Sequence, residues 1–111
     1  LITDSKTKEV FRLDLSKEKF DLWTKFNGIG TPDGGCLNER SNPIFAIWDG
    51  SCLQEFDRLG KKLNSVKLPV KRPTNCKYSK QHNCFFVTSA SDGLSPATKS
   101  DLNGYLLKIT L

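Results

Sequence analysis

The sequence predicts an all-β chain assembled from a repeated four-stranded unit, and three observations carry that reading. Short apolar or alternating runs recur along the 111 residues, separated by Gly, Pro, Asn, Asp and Ser. No window holds an amphipathic helix longer than two turns. The segment that opens at Pro32 returns at Pro73, 41 residues further on.

Seven strands are expected. "EVFRLDL" (9–15) and "KFDLW" (19–23) alternate apolar with polar residues, the pattern of half-buried strands. "PIFAIW" (43–48) and "CFFVTSA" (84–90) are short apolar runs of strand length. "CLQEF" (52–56) needs arbitration, because Leu53, Phe56 and Leu59 recur at three-residue spacing. Gly60, and the alternation of Leu53, Glu55 and Asp57 against Cys52, Gln54 and Phe56, favour a hairpin into "LNSVKL" (63–68). "YLLKITL" (105–111) closes the chain.

The repeat sets "PDGGCLNERSNPIFAIWDGS" beside "PTNCKYSKQHNCFFVTSASDG", with Cys36 and Cys76, and Phe45 and Phe85, each 40 residues apart. Each copy reads as Pro, a short polar turn, a Cys-containing strand, a polar turn and an aromatic-rich strand. The opening "LITDSKTKEVFRLDL" with "KFDLWTKF" matches the later half of such a unit. About forty residues in four short strands is the size of one β-propeller blade. A single such sheet cannot cover both of its faces and needs neighbours stacked on it. The expected division is 1–26 for the end of one blade, 27–69 for a complete blade and 70–111 for an incomplete one, about two and a half in all.

Composition excludes several classes. The longest apolar runs, Ile44 to Trp48 and Cys84 to Val87, are too short to span a bilayer. "LITDSKTKEV" is charged within four residues and lacks the apolar core of a signal peptide. Methionine is absent and position 1 is Leu, which reads as a processed start or a piece of a longer chain. The net charge of +5 comes from scattered lysines, with small clusters at 60–62 and 70–72 and no basic–aromatic platform, so nucleic acid is not the expected partner. Cys36, Cys52, Cys76 and Cys84 form no C-x-x-C pair, and the single His82 has no spaced partner, which argues against zinc. Without a sequon or export signal, free thiols in a reducing, cytoplasmic setting are expected.

Among polar residues, Asp33 in "GTPDGGCLN" (30–38) has two readings. Pro-Asp-Gly is turn chemistry, with Pro fixing φ and Gly accepting positive φ. Alternatively, the stiff neighbours hold the carboxylate out as a ligand. Asp4 and Asp49 each precede a small residue and read as turn caps. Trp23 and Trp48 read as packing between blades. Ser89 and Ser91 lack a nearby histidine, which disfavours a serine nucleophile, and His82 reads as exposed.

The segments "LITDSKTKEVFRLDL", "GTPDGGCLN", "FAIWDGSCLQEFDRLGKKLNSVKLPVKRPTNCKYS", "FFVTSASDG" and "DLNGYLLKI" resemble the C-terminal part of the regucalcin and gluconolactonase family, which also includes luciferin-regenerating enzymes. The pairing of "VKLPVKRPTNC" with "FVTSASDG" is the most specific part. The resemblance implies a six-bladed β-propeller, with one divalent cation at the top of its channel held by a glutamate, an asparagine and an aspartate. The family aspartate lies in a Pro-Asp-Gly that aligns with Asp33. It implies that Asp33 is a metal ligand and the proton donor and acceptor in lactone hydrolysis, with Pro32 and Gly34 as its supporting loop. Oxygen donors suit Ca²⁺, Mg²⁺ or Mn²⁺ better than Zn²⁺.

The resemblance also implies a small-molecule lactone substrate, and either the missing blades or self-association through open edge strands. It leaves a calcium-binding regulatory protein or a luciferin-regenerating enzyme as family alternatives. A non-catalytic interaction module is the rival from another class. "NERSNP" (38–43) replaces the family's Asp-x-x-Gly, and "YSK" (78–80) replaces its Phe-Gly-Gly. The family's glutamate and asparagine ligands have no counterparts here, and Asn27, Asn38 and Glu39 fall at the wrong places in the repeat.

Overall fold

Alternating side-chain direction along a strand decides how this chain packs. On Pro43–Trp48, Ile44 and Ala46 point one way and join a cluster with Leu53, Leu68, Val70, Cys76, Phe85, Val87 and Leu107. Phe45 and Ile47 point the other way and join Val10, Phe26 and Phe56, with Trp23 against them. Both faces of one sheet are therefore covered by neighbouring sheets, which is what the continuous apolar run required.

The computed structural model describes residues 1–95 and 101–110. Ten strands are present: β1 (Ile2–Asp4), β2 (Glu9–Asp14), β3 (Lys19–Lys25), β4 (Thr31–Leu37), β5 (Pro43–Trp48), β6 (Cys52–Phe56), β7 (Lys62–Lys67), β8 (Arg72–Ser79), β9 (Cys84–Ala90) and β10 (Leu107–Thr110). They form three antiparallel sheets in the orders β1-β2-β3, β4-β5-β6-β7 and β10-β9-β8. Among the described residues there is no helix, so none is long and apolar enough to cross a membrane. The expected β6–β7 hairpin forms. Gln54, buried inside it, donates through Nε2 to the Leu63 and Asn64 carbonyls at 3.1 and 3.0 Å, beside a register shift.

Three strands exceed the expectation. β1 was read only as a strand end. β4 and β8 begin at Thr31 and Arg72, so Pro32, Asp33 and Gly34 sit inside a strand rather than in a polar turn or loop. Proline and glycine are disfavoured in strand interiors but tolerated at sheet edges and bulges. β4 is an edge strand paired only with β5, and its register shifts between Pro32 and Gly35, placing Asp33 and Gly34 together opposite Ala46. β8 has the same design, an edge position with a shift between Pro73 and Asn75. The last strand starts at Leu107 rather than Tyr105, because the Tyr105 N–H closes a turn onto Leu102 at 3.1 Å. Leu111, assigned to that strand by sequence, lies outside the described residues.

Contacts between sheets bring β1, β4 and β8 side by side. Thr3 Oγ1 donates to the Asp33 carbonyl at 3.2 Å and Ser5 Oγ to the Pro32 carbonyl at 2.9 Å, tying β1 and its turn to β4. Cys36 on β4 meets Cys76 on β8, sulfur to sulfur, at 3.7 Å.

Candidate functional site

A groove of about 540 Å³ opens between β1 and β4, lined by Leu1, Ile2 and Thr3 on one side and by Asp33 to Leu37 on the other, with Pro43 and Phe45 at its base. Among the described residues Asp33 is its only lining carboxylate. The site is built from the bulge upward. Pro32 is fully buried and anchors the strand against Ile47, and the extra residue beyond it turns the Asp33 side chain toward the groove. Gly35 follows because a β-carbon there would meet the Ile44 carbonyl at 2.4 Å.

The Asp33 carboxylate is partly buried and makes no salt bridge among the described residues. Burial pushes its pKa above the ordinary aspartate value, and the Gly34 N–H hydrogen bond pulls it partway back. A partly desolvated carboxylate without a cationic partner is a stronger proton acceptor than one in water, and an available oxygen ligand. No group of three or more His, Cys, Asp or Glu side chains capable of holding a metal occurs among the described residues. Asp33 therefore suits a hard cation as one oxygen donor, and the rest of a ligand set would come from elsewhere.

The other singled-out residues divide. Asp4 caps its turn, accepting from the N–H groups of Lys6 and Thr7 at 3.0 and 3.2 Å. Asp49 does not cap its own turn as expected. It accepts from Arg72 Nε at 2.7 Å across the gap between sheets, and that contact holds its pKa below the usual range. Arg72 also lies 4.9 Å from the Trp48 ring and donates to the Asp92 carbonyl. Trp23 packs on Phe56 and Phe45, with ring centroids 5.8 and 6.4 Å apart, bridging two sheets. His82 is exposed, and Ser89 Oγ donates to the Tyr105 carbonyl at 2.7 Å.

Sequence reasoning missed one polar cluster. Glu55, 9% exposed, accepts from the side-chain amides of Asn38 and Asn42 at 2.7 and 2.8 Å, which fixes the "NERSN" turn between β4 and β5. The signal available was Glu55 alternating with Leu53 on one face of β6.

Stacked antiparallel sheets whose edge strands gather beside a groove define a segment of a β-propeller. Residues 1–91 match the SMP-30/Gluconolactonase/LRE-like region, and the chain belongs to that family. Regucalcin of Gallus gallus is 38% identical over 65 residues, covering 57% of this chain and 22% of the relative. Regucalcin of Oryctolagus cuniculus is 35% identical over 83 residues, covering 71% of this chain and 28% of the relative. The chain thus spans about a quarter of the length of the curated relatives it matches.

Two solved structures share the fold over 96% of this chain. One is a luciferin-regenerating enzyme, with a TM-score of 0.75, 23% identity and 39% of its chain covered. The other is a calcium-binding protein, regucalcin from Agrobacterium tumefaciens, with a TM-score of 0.83, 20% identity and 40% covered.

Proposed function

We propose that this chain supplies the Asp33 carboxylate of a metal-dependent lactone hydrolase of gluconolactonase type. The observation that carries the reading is the placement of Asp33: a partly desolvated carboxylate, held at a bulge by the buried Pro32, lining the groove without a cationic partner among the described residues. Family membership supplies the reaction class.

In this reading Asp33 offers an oxygen to a hard divalent cation, with Ca²⁺, Mg²⁺ and Mn²⁺ ahead of Zn²⁺ because the ligand offered is a carboxylate oxygen and no His lines the groove among the described residues. The cation, when bound, supplies Lewis acidity toward the lactone carbonyl and acidifies water. Asp33 takes the proton from the water as its oxygen bonds to the carbonyl carbon. The ring C–O bond then breaks, and Asp33 returns the proton to the departing ring oxygen, giving an open-chain hydroxy acid. The remaining ligands and the substrate-holding groups belong to further blades.

The experiment is colour-indicator hydrolysis of gluconolactone with added Mn²⁺. In a protein carrying the whole propeller, Asp33→Ala is expected to abolish metal-dependent turnover while the circular dichroism spectrum stays unchanged. Wild-type rates in that variant would remove Asp33 from the mechanism. The 111-residue chain alone is expected to show no rate above that of the metal alone.

A further inference from the structure

Four cysteines are free, and they are not equivalent. Cys84 is fully buried in β9. Cys52 is partly buried, and that burial pushes its thiol pKa up. Cys36 and Cys76 face each other at 3.7 Å from adjacent strands of different sheets, forty residues apart in sequence. Cys36 is partly buried and lines the groove, whereas Cys76 is 5% exposed and approaches the Ile44 carbonyl behind it.

We infer that Cys36 and Cys76 form a reversible dithiol–disulfide couple, with Cys36 as the attacking sulfur and Cys76 as the resolving one, that closes on reaction with a low-molecular-weight disulfide such as oxidised glutathione. A disulfide's S–S bond is about 2.05 Å, so the two sulfurs must close by side-chain rotation from van der Waals contact. The division of roles follows from access: Cys36 is the more exposed of the two and borders the groove from which a disulfide would arrive. The contact with Cys76 favours the Cys36 thiolate most, partial burial opposes it, and the Tyr78 N–H and the Lys77 charge add smaller support.

The chemistry balances without another oxidant. The Cys36 thiolate attacks one sulfur of oxidised glutathione, the S–S bond breaks, and one glutathione leaves as a thiolate that takes up a proton. Cys36 then carries a mixed disulfide. Cys76 gives its proton to solvent and attacks the Cys36 sulfur, expelling the second glutathione, which is protonated in turn. Two cysteine thiols are oxidised and one glutathione disulfide is reduced to two thiols. The bridge would tie β4 to β8 beside the groove that holds Asp33, and it stands whether or not Asp33 acts on a lactone.

The test exposes the whole chain to oxidised glutathione, blocks remaining thiols with iodoacetamide after unfolding, and digests with trypsin without reductant. The expected product joins the peptide 26–40 to the peptide 72–77, with loss of alkylation at Cys36 and Cys76 alone. In Cys76→Ser the reaction is expected to stop with glutathione attached to Cys36. Full alkylation of both cysteines in the wild type, a wild type that stops at the mixed disulfide, or a bridge involving Cys52 or Cys84 would overturn the couple. So would Cys76→Ser protein, folded by circular dichroism, that acquires no glutathione at Cys36.

Discussion

A β-carbon placed on Gly34 would come within 2.5 Å of Asn75 Cγ and 2.8 Å of Asn75 Cβ, so β4 and β8 touch backbone to side chain next to Asp33. Asn75 cannot simply swing away at no cost, because its Oδ1 accepts the Cys76 N–H at 2.8 Å. Gly34→Ala is therefore expected to destabilise the chain by about 1–3 kcal/mol, the usual range for overpacking. Asn75→Gly in the same chain should recover most of that loss. Urea unfolding of the two single variants and the double variant reads the coupling, and strictly additive effects would mean the two strands do not share this contact.

Asp33 also predicts a pH dependence. Its folded pKa is raised by burial, so the native state holds the proton more tightly than the unfolded chain does. The contribution is most favourable in acid and is lost as pH rises from about 4 through the folded value. Asp33→Asn keeps the shape without the charge. It is expected to raise the melting temperature at neutral pH, with the difference from wild type vanishing in acid. An equal melting temperature at pH 7 would mean the carboxylate is not desolvated. A residue that weakens its own fold when ionised is well placed to gain from a bound cation.

Much of this was legible in the sequence, and the exceptions have physical causes. β5 was readable because a strand covered on both faces needs a continuous apolar run, and the β6–β7 hairpin because Gly60 breaks the helical spacing. β4 and β8 were half-hidden. Their Pro, Asp, Asn and Gly residues carry turn propensity, and only the edge position and the bulge let them extend. Asp33 could be singled out by its neighbours, but the other wall of its groove is β1, thirty residues away. The partner of Asp49 was illegible for the same reason. Nothing within one blade says that Arg72 of the next will reach it.

Arg72 makes three different contacts, two of them across to the neighbouring sheet, with the Asp49 carboxylate and the Trp48 ring, and one to the Asp92 carbonyl beyond the strand it pairs with. Its side chain is 18% exposed and that of Asp49 38%, so solvent screens the ion pair and the ring contact carries part of the effect. Arg72→Ala is expected to cost about 1–2 kcal/mol. Arg72→Lys should recover little, since lysine lacks the planar fork that pairs and stacks at once. Because Arg72 depresses the Asp49 pKa, the pair's contribution is present above the unfolded value and fades as pH falls through the folded one. Thermal melts from pH 7 down to pH 2 should show the wild-type and Arg72→Ala curves converging. Parallel curves would mean that Asp49 is not held by the guanidinium.

The remaining prediction concerns the face of the first sheet that no described residue covers. Ile2 lies opposite Phe11, Phe11 opposite Leu22, and Leu13 opposite Phe20, and directly paired residues share a face. Phe11 stacks on Phe20 with centroids 4.8 Å apart, while Ile2, Leu13, Phe20 and Leu22 remain 43–56% exposed. On the opposite face Val10 is fully buried against the second sheet. A sheet with one face packed on a neighbour and the other apolar and open is shaped for another sheet of the same kind. When the chain is alone, the sheet available is a second copy of itself. Sedimentation velocity is expected to show concentration-dependent association. Replacing Phe20 and Leu22 with lysine should weaken it by about tenfold or more, roughly 1.4 kcal/mol. β3 is an edge strand, where lysine is well tolerated, so the fold should survive the change. A wild-type chain that stays monomeric at every concentration would show that this face needs no cover.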